Sequence, residues 1–476
     1  MLNFSYICRN FIQMKNKEFN FAFLLRISLV SAMGGLLFGY DWVVIGGAKP
    51  FYERFFEITL SANLQAWAMS SALIGCIVGA VVSGFVSDKY GRKKTLLSSA
   101  FLFIIASLGT GLAGSFNVFI SFRMLGGIGI GLASALSPIY IAEITPSNFR
   151  GRFVSLNQMT IVIGILLAQI INLLIADKVP DGASDQFISA SWNGQMGWRW
   201  MFWACGIPSV LFFLFTFFIP ESPRWLLKVG KQDAAFPVLA KIGGDLYAKK
   251  EIENIKASLD DVSEKVDFKS LFNPAFVPIL LIGVVLAVFQ QWCGINTVFN
   301  YAEEIFSAAG YGVSDTLFNI VITGSVNLVF TFVAMFTVDK WGRKKLMVFG
   351  SIGLALNYIL LGSAFFFHLK GVAVLALVVT AIAIYAMSLA PIVWVILSEI
   401  FPNRIRGAAM ALATFALWMA CFILTYTFPL LNKSLGAAGT FWVYSGICLL
   451  GFIFIAIKLP ETKGKSLEDI ENILMK

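Results

Sequence analysis

Again and again along this chain, apolar residues run for about 20 positions, the length an α-helix needs to cross the hydrocarbon core of a bilayer. Twelve such runs can be drawn: 22–47, 63–86, 95–113, 117–141, 153–176, 199–219, 275–299, 316–338, 345–367, 371–397, 407–431 and 438–458. Only helices and closed barrels satisfy their backbone polar groups in lipid, and runs this long belong to helices. Only 13% of the residues are charged, against about 25% in an average soluble domain. The expected fold is therefore an all-α membrane protein with twelve transmembrane helices.

Those twelve are two sets of six. Asp88-Lys89-Tyr90-Gly91-Arg92-Lys93-Lys94 returns 251 positions later as Asp339-Lys340-Trp341-Gly342-Arg343-Lys344-Lys345, with six of seven residues identical. Each copy is a charged turn between two apolar runs, with Gly available for a backbone that other residues resist. The stretch Glu143 to Gly151 corresponds to Glu399 to Gly407, and Pro220-Glu221 to Pro460-Glu461. Repetition at matching places implies two pseudo-symmetric six-helix bundles. The expected organisation is a lead-in at 1–21, a first bundle at 22–220, a linker with short helices at 221–274, a second bundle at 275–458 and a tail at 459–476. In the tail, Ser466-Leu467-Glu468-Asp469 reads as a helix start.

The net charge of +9 does not indicate nucleic acid. With the N-terminus inside and loops assigned alternately, most Lys and Arg fall in cytoplasmic loops, as the positive-inside rule requires. Both termini are then cytoplasmic and the chain is multi-pass in the cell membrane. The six cysteines have no metal-ligand spacing and read as small packing residues. The single histidine, His368, builds neither a multi-histidine metal site nor a catalytic triad, so no cofactor, metal or enzymatic activity is expected. Gly126-Gly127-Ile128-Gly129-Ile130-Gly131 has the look of a nucleotide loop but follows no strand and lies in an apolar run; close helix packing is the better reading. No Walker motif supports ATP-driven transport.

Gly84 to Lys94, Arg123 through Gly131, Pro138 through Arg152, Pro220 to Leu226, Gln290 to Tyr301, Asp339 to Lys345, Glu399 to Gly407 and Pro460 to Gly464 together resemble the major facilitator superfamily and, within it, the sugar porter family. The branch most similar is that of bacterial xylose–proton symporters, with glucose facilitators further off. The resemblance implies two bundles rocking about a central sugar site.

Two ionised residues fall within the apolar runs, Asp41 in the first and Arg123 in the fourth. Each costs roughly 2.5–3.5 kcal/mol at mid-bilayer, which calls for a partner or an aqueous cavity. At about 1.5 Å per residue both lie in the outer third of oppositely directed helices and are able to pair. We expect Asp41 to carry the proton and Arg123 to switch it; a fixed pair that only orients helices is the competing reading. Proton-coupled members of the family resemble this chain in having the aspartate.

Gln290, Gln291 and Asn296 lie in the seventh run, where Gly294 offers a helix break, and Gln158 and Asn327 add amides from the fifth and eighth. Amides donate and accept, matching sugar hydroxyls without net charge. Trp394, near Pro391, offers a stacking face. The resemblance assigns substrate contact to these six positions. The chain departs from the family at Asn300-Tyr301-Ala302-Glu303, Leu417, Cys421 and Cys205, which leaves the particular sugar open.

A third set, Arg92, Glu143 and Arg150 mirrored by Arg343, Glu399 and Arg406, is expected to hold the inner face shut by pairing where the bundles meet. The expected function is import of a monosaccharide with protons, by a chain working as a monomer. The alternatives are an uncoupled facilitator, a polyol or inositol symporter, and a sugar sensor.

Overall fold

The computed structural model describes residues 19–260, 271, 273–274, 276–402 and 405–463. Most of the 1–21 lead-in, the end of the linker and the helix start expected at Ser466 lie outside the described residues, as does Cys8.

The first bundle consists of α1 (Phe21–Phe55), α2 (Ala62–Tyr90), α3 (Arg92–Leu112), α4 (Phe116–Ile144), α5 (Arg150–Ile175) and α6 (Asn193–Thr216). The second begins with α7 (Val277–Asn300), α8 (Val313–Trp341), α9 (Arg343–Phe366) and α10 (Val372–Ile400). It ends in one 53-residue helical stretch, Arg406–Lys458, whose course breaks at Gly436, where φ is +69°. The parts on either side, 406–435 and 437–458, are α11 and α12, which makes twelve spans among the described residues. Between the bundles stand two linker helices, Pro223–Lys228 and Gln232–Asp260, the second kinked at Gly243 and Gly244.

Packing repeats with the sequence. Helix α2 runs along α4 as α8 runs along α10, and α1 along α5 as α7 along α11–α12. The bundles touch where α2 meets the Arg406–Lys458 stretch and, at the matching place, where α5 meets α8. The Gly126–Gly131 motif serves the helix contact expected of it. A Cβ on Gly127 would strike the Ala72 carbonyl, and one on Gly131 the Cys76 carbonyl. Only glycine lets α2 and α4 approach so closely, and in lipid such backbone proximity is what holds helices together.

Each charged heptapeptide turns on a glycine with positive φ, Gly91 at +96° and Gly342 at +89°. The helix that follows is capped from a distance. Glu221 accepts from the backbone N–H groups of Arg92 (2.9 Å) and Lys93 (3.1 Å), and Glu461 from those of Arg343 (2.9 Å) and Lys344 (3.2 Å). A carboxylate at a helix N-terminus satisfies free donors and opposes the helix dipole. This explains why Pro-Glu recurs at the end of each bundle.

Candidate transport site

Asp41 and Arg123 meet. Helix α1 carries the aspartate and α4 the arginine, and the Arg123 Nη1 donates to both Asp41 oxygens at 2.9 Å. Both side chains are buried, and the guanidinium lies 5.6 Å from the Phe202 ring centre on α6. Tyr40, next to Asp41, donates its hydroxyl to the Met201 carbonyl at 3.3 Å, pinning α1 to α6. All these contacts stay inside the first bundle.

One edge of the pair faces the second bundle. A cavity of about 10 Å³ is lined by Trp42, Arg123 and Ile130 from one side and Asn300 from the other. That is the lower bound for holding one water. The Arg123 Nε and the Asn300 Oδ1 are both buried without a hydrogen-bond partner. Donor and acceptor from different bundles thus flank the same small space.

In α7 the helix breaks after Trp292, and Gly294 takes the left-handed conformation at φ +86°. The break turns the amides toward one another. Gln290 donates to the Leu389 and Ala390 carbonyls on α10 at 3.3 and 3.1 Å, and Gln291 donates to Gln290 at 3.4 Å. Asn296 donates to the Gln291 Oε1 and lies 3.6 Å from the Cys421 sulfur on α11. Gln290, Gln291 and Asn296 therefore form one linked row. Gln158 is partly buried, Trp394 is exposed and Asn327 is buried; none of the three hydrogen-bonds to that row. The structure links three of the six expected sugar contacts by hydrogen bonds and leaves three apart.

Aromatic groups close one side of the same region. Phe38 and Trp42 on α1 stand 5.8 and 6.0 Å from Trp418 on α11, a contact between bundles. The i, i+4 spacing of Phe38 and Trp42 was the signal for a shared helix face; their partner across the interface is not visible in sequence.

The hairpin charges form pairs within each half. Arg92 pairs with Glu143 at 2.9 Å, and Ser222 donates to the same carboxylate at 2.5 Å. Arg343 pairs with Glu399 at 3.2 Å. Arg150 donates to the Ala142 carbonyl and Arg406 to the Phe401 carbonyl. Each of these contacts stays within one half rather than crossing between halves. The reason is local: Arg92 opens α3 and Glu143 closes α4, so the two meet at adjacent helix ends, and the same holds for Arg343 and Glu399.

Polar contacts between the bundles are seen at the far end, away from the hairpins. There the Val179 N–H donates to Ser314 at 3.0 Å. Lys49 on α1 reaches Glu303 (3.5 Å) and Glu304 (2.6 Å), on the short helix Ala302–Ala308 after α7. The sequence reading ended the first run at residue 47 and so placed Lys49 outside it. The helix in fact continues to Phe55, carrying Lys49 and Glu53 with it as an i, i+4 pair at 3.1 Å. That spacing was the available signal.

Two bundles of six membrane-crossing helices, a buried ion pair in one and a broken amide-bearing helix in the other define a membrane transporter rather than an enzyme. The comparisons agree. The family described as "Sugar (and other) transporter" matches residues 27–474. The D-xylose-proton symporter of Escherichia coli is 39% identical, over 96% of each chain, and the arabinose-proton symporter of Bacillus subtilis is 38% identical, over 97% of each. The inward-open structure of the E. coli xylose transporter superimposes with a TM-score of 0.83 at 38% identity, covering 94% of this chain and 99% of that one. The chain belongs to the sugar transporter family of the major facilitator superfamily.

Proposed function

We propose that this protein is a secondary transporter that imports a monosaccharide with protons by alternating access, the bundles at 22–220 and 275–458 rocking about the region between them. The observation that carries the reading is the buried Asp41–Arg123 pair, which shares the space between the bundles with the amide row of the second. A carboxylate held by a guanidinium takes up a proton when that partner withdraws and releases it when the partner returns. Sugar hydroxyls find donors and acceptors in Gln290, Gln291 and Asn296, with Gln158, Asn327 and Trp394 completing the site once sugar draws the bundles together. The xylose and arabinose symporters among the relatives support a pentose substrate, and the amide row suits the hydroxyls of a hexose equally.

The excess of Lys and Arg at the charged hairpins favours a cytoplasmic location for them and for both termini. On that orientation the structure is closed toward the outside by the Lys49 contacts. The within-half pairs of Arg92, Glu143, Arg343 and Glu399, with Arg150 and Arg406 beside them, are the inner gate in its open arrangement. The chain works as a monomer.

The test is uptake into proteoliposomes of labelled pentoses, hexoses and polyols, with and without an imposed pH gradient. Accumulation of one sugar above equilibrium, only with the gradient, is the expected result. Equilibration without accumulation establishes a facilitator instead, and accumulation of inositol alone a polyol symporter.

A further inference from the structure

The contact around Lys49 has an unusual charge balance. Its ammonium lies 2.6 Å from Glu304, 3.1 Å from Glu53 and 3.5 Å from Glu303. One positive charge thus serves three carboxyls. Lys49 and Glu53 are almost wholly buried, at 1% and 4% exposure. Around them, Gln65 on α2 donates to Glu53 at 3.1 Å, and Tyr52 and Tyr301 are completely buried. The Tyr52 hydroxyl has no hydrogen-bond partner and lies in the field of Lys49, Glu53, Glu304 and Arg123; one Glu304 oxygen is likewise unpartnered. Asp315 opens the helix packed on Ala302–Ala308 and pairs with none of them.

Glu303 and Glu304 keep 17% and 22% side-chain exposure, but two uncompensated negative charges packed against an almost wholly buried Lys49 and Glu53 are still costly, and the available relief is protonation. Opening the far end supplies another. Lys49 and Glu53 belong to the first bundle and Glu303 and Glu304 to the second, so parting the bundles admits water to the carboxyls.

We propose that Lys49, Glu53, Glu303 and Glu304 form a proton-linked latch, which holds a proton among its three carboxyls when the bundles meet at the far end and loses it when they part. This deepens the proton-coupled reading above and rests on it for the direction of transport, but the latch is a second proton site, distinct from Asp41. Glu304 lies just beyond the span ending at Asn300, and burial raises its carboxyl above the usual carboxylate range; Lys49 pulls it down, while Glu303 and Glu53 push it up. The sign follows. A group whose affinity for protons is raised in the closed form favours closure below its closed-form pKa, and that preference is lost as pH rises through it.

The experiment places spin labels on exposed positions of the far-end loops, at Leu60 and Leu369, in the full-length protein, and follows their separation between about pH 5 and about pH 9 without sugar. The closed population is expected to fall as pH rises, by up to about tenfold per pH unit for a single linked proton. The same profile is expected in an Asp41→Asn background, while Glu304→Gln flattens it and Lys49→Gln, by removing the cation that holds the carboxyls down, moves it to higher pH. A separation independent of pH in the otherwise unaltered protein overturns the latch even if gradient-driven uptake is found. A profile that disappears with Asp41→Asn also overturns it, by assigning the proton to the other pair. If the profile stands and gradient-driven uptake is absent, the latch holds and the symport reading fails. The pH titration needs no gate substitution, so the proposal remains testable if Glu304→Gln does not reach the membrane.

Discussion

Two buried ion clusters lie along α1, and they are built differently. Asp41–Arg123 is one negative charge against one positive, held at 2.9 Å by two helices of the same bundle. Lys49 with Glu53, Glu303 and Glu304 is one positive charge against three negatives, divided between bundles. A pair within a rigid body survives when that body rotates; a cluster split between two bodies has to break. Proton exchange at the first therefore requires Arg123 to move within its own bundle, whereas the second breaks with the rocking itself and senses which end is closed.

The sharpest way to break this comparison is Asp41→Asn. Gradient-driven accumulation in proteoliposomes is expected to fall to the equilibrium level, while sugar exchange across the membrane continues. Accumulation that persists removes Asp41 from the coupling.

Next in size is Arg123→Met. Stranding a buried carboxylate costs roughly 3–5 kcal/mol, so the detergent-solubilised protein should lose thermal stability markedly. Lys49→Met is expected to lower the melting temperature less, since it weakens one arrangement of the bundles rather than a bundle itself. Equal losses would mean that both clusters are simply structural.

A smaller effect separates contacts within halves from contacts between them. Glu143→Gln and Glu399→Gln each remove the charge from a hydrogen-bond acceptor, and a bond to a charged group is worth about 1.5–3 kcal/mol against about 1 kcal/mol for a neutral one. Because each lies in its own half, the double variant should be additive to within about 0.5 kcal/mol. Clear non-additivity in thermal unfolding would show that the hairpin charges couple across the interface.

The smallest effect expected is from Glu461→Gln. This carboxyl is partly desolvated, which raises it, but backbone N–H groups of Lys463, Arg343, Lys344 and Thr462 hold it below the usual carboxylate range. A depressed group contributes stability above its unfolded value and loses it as pH falls through the folded one. The variant should therefore match the parent in acid and fall slightly behind it near neutrality. A melting-temperature difference that does not shrink on acidification would contradict this.

Much was legible from residues alone. Runs of about 20 apolar residues can only be bilayer-spanning helices, because lipid offers no partner to an open backbone. The duplicated heptapeptide, with its glycine and recurring Pro-Glu, encoded two equivalent bundles, since a positive-φ turn and a helix N-terminus need those residues wherever they occur. Asp41 and Arg123 announced each other, since a charge in lipid is too costly to be left alone. What only the tertiary structure decided was which groups meet across the interface. Trp418 against Phe38 and Trp42, Asn300 opposite Arg123, and Lys49 against Glu303 and Glu304 all depend on how two separate bodies dock, and no local periodicity records that. The hairpin charges carry the same lesson in reverse: alike in both halves, they pair inside each half, because adjacent helix ends bring them together before the other bundle can.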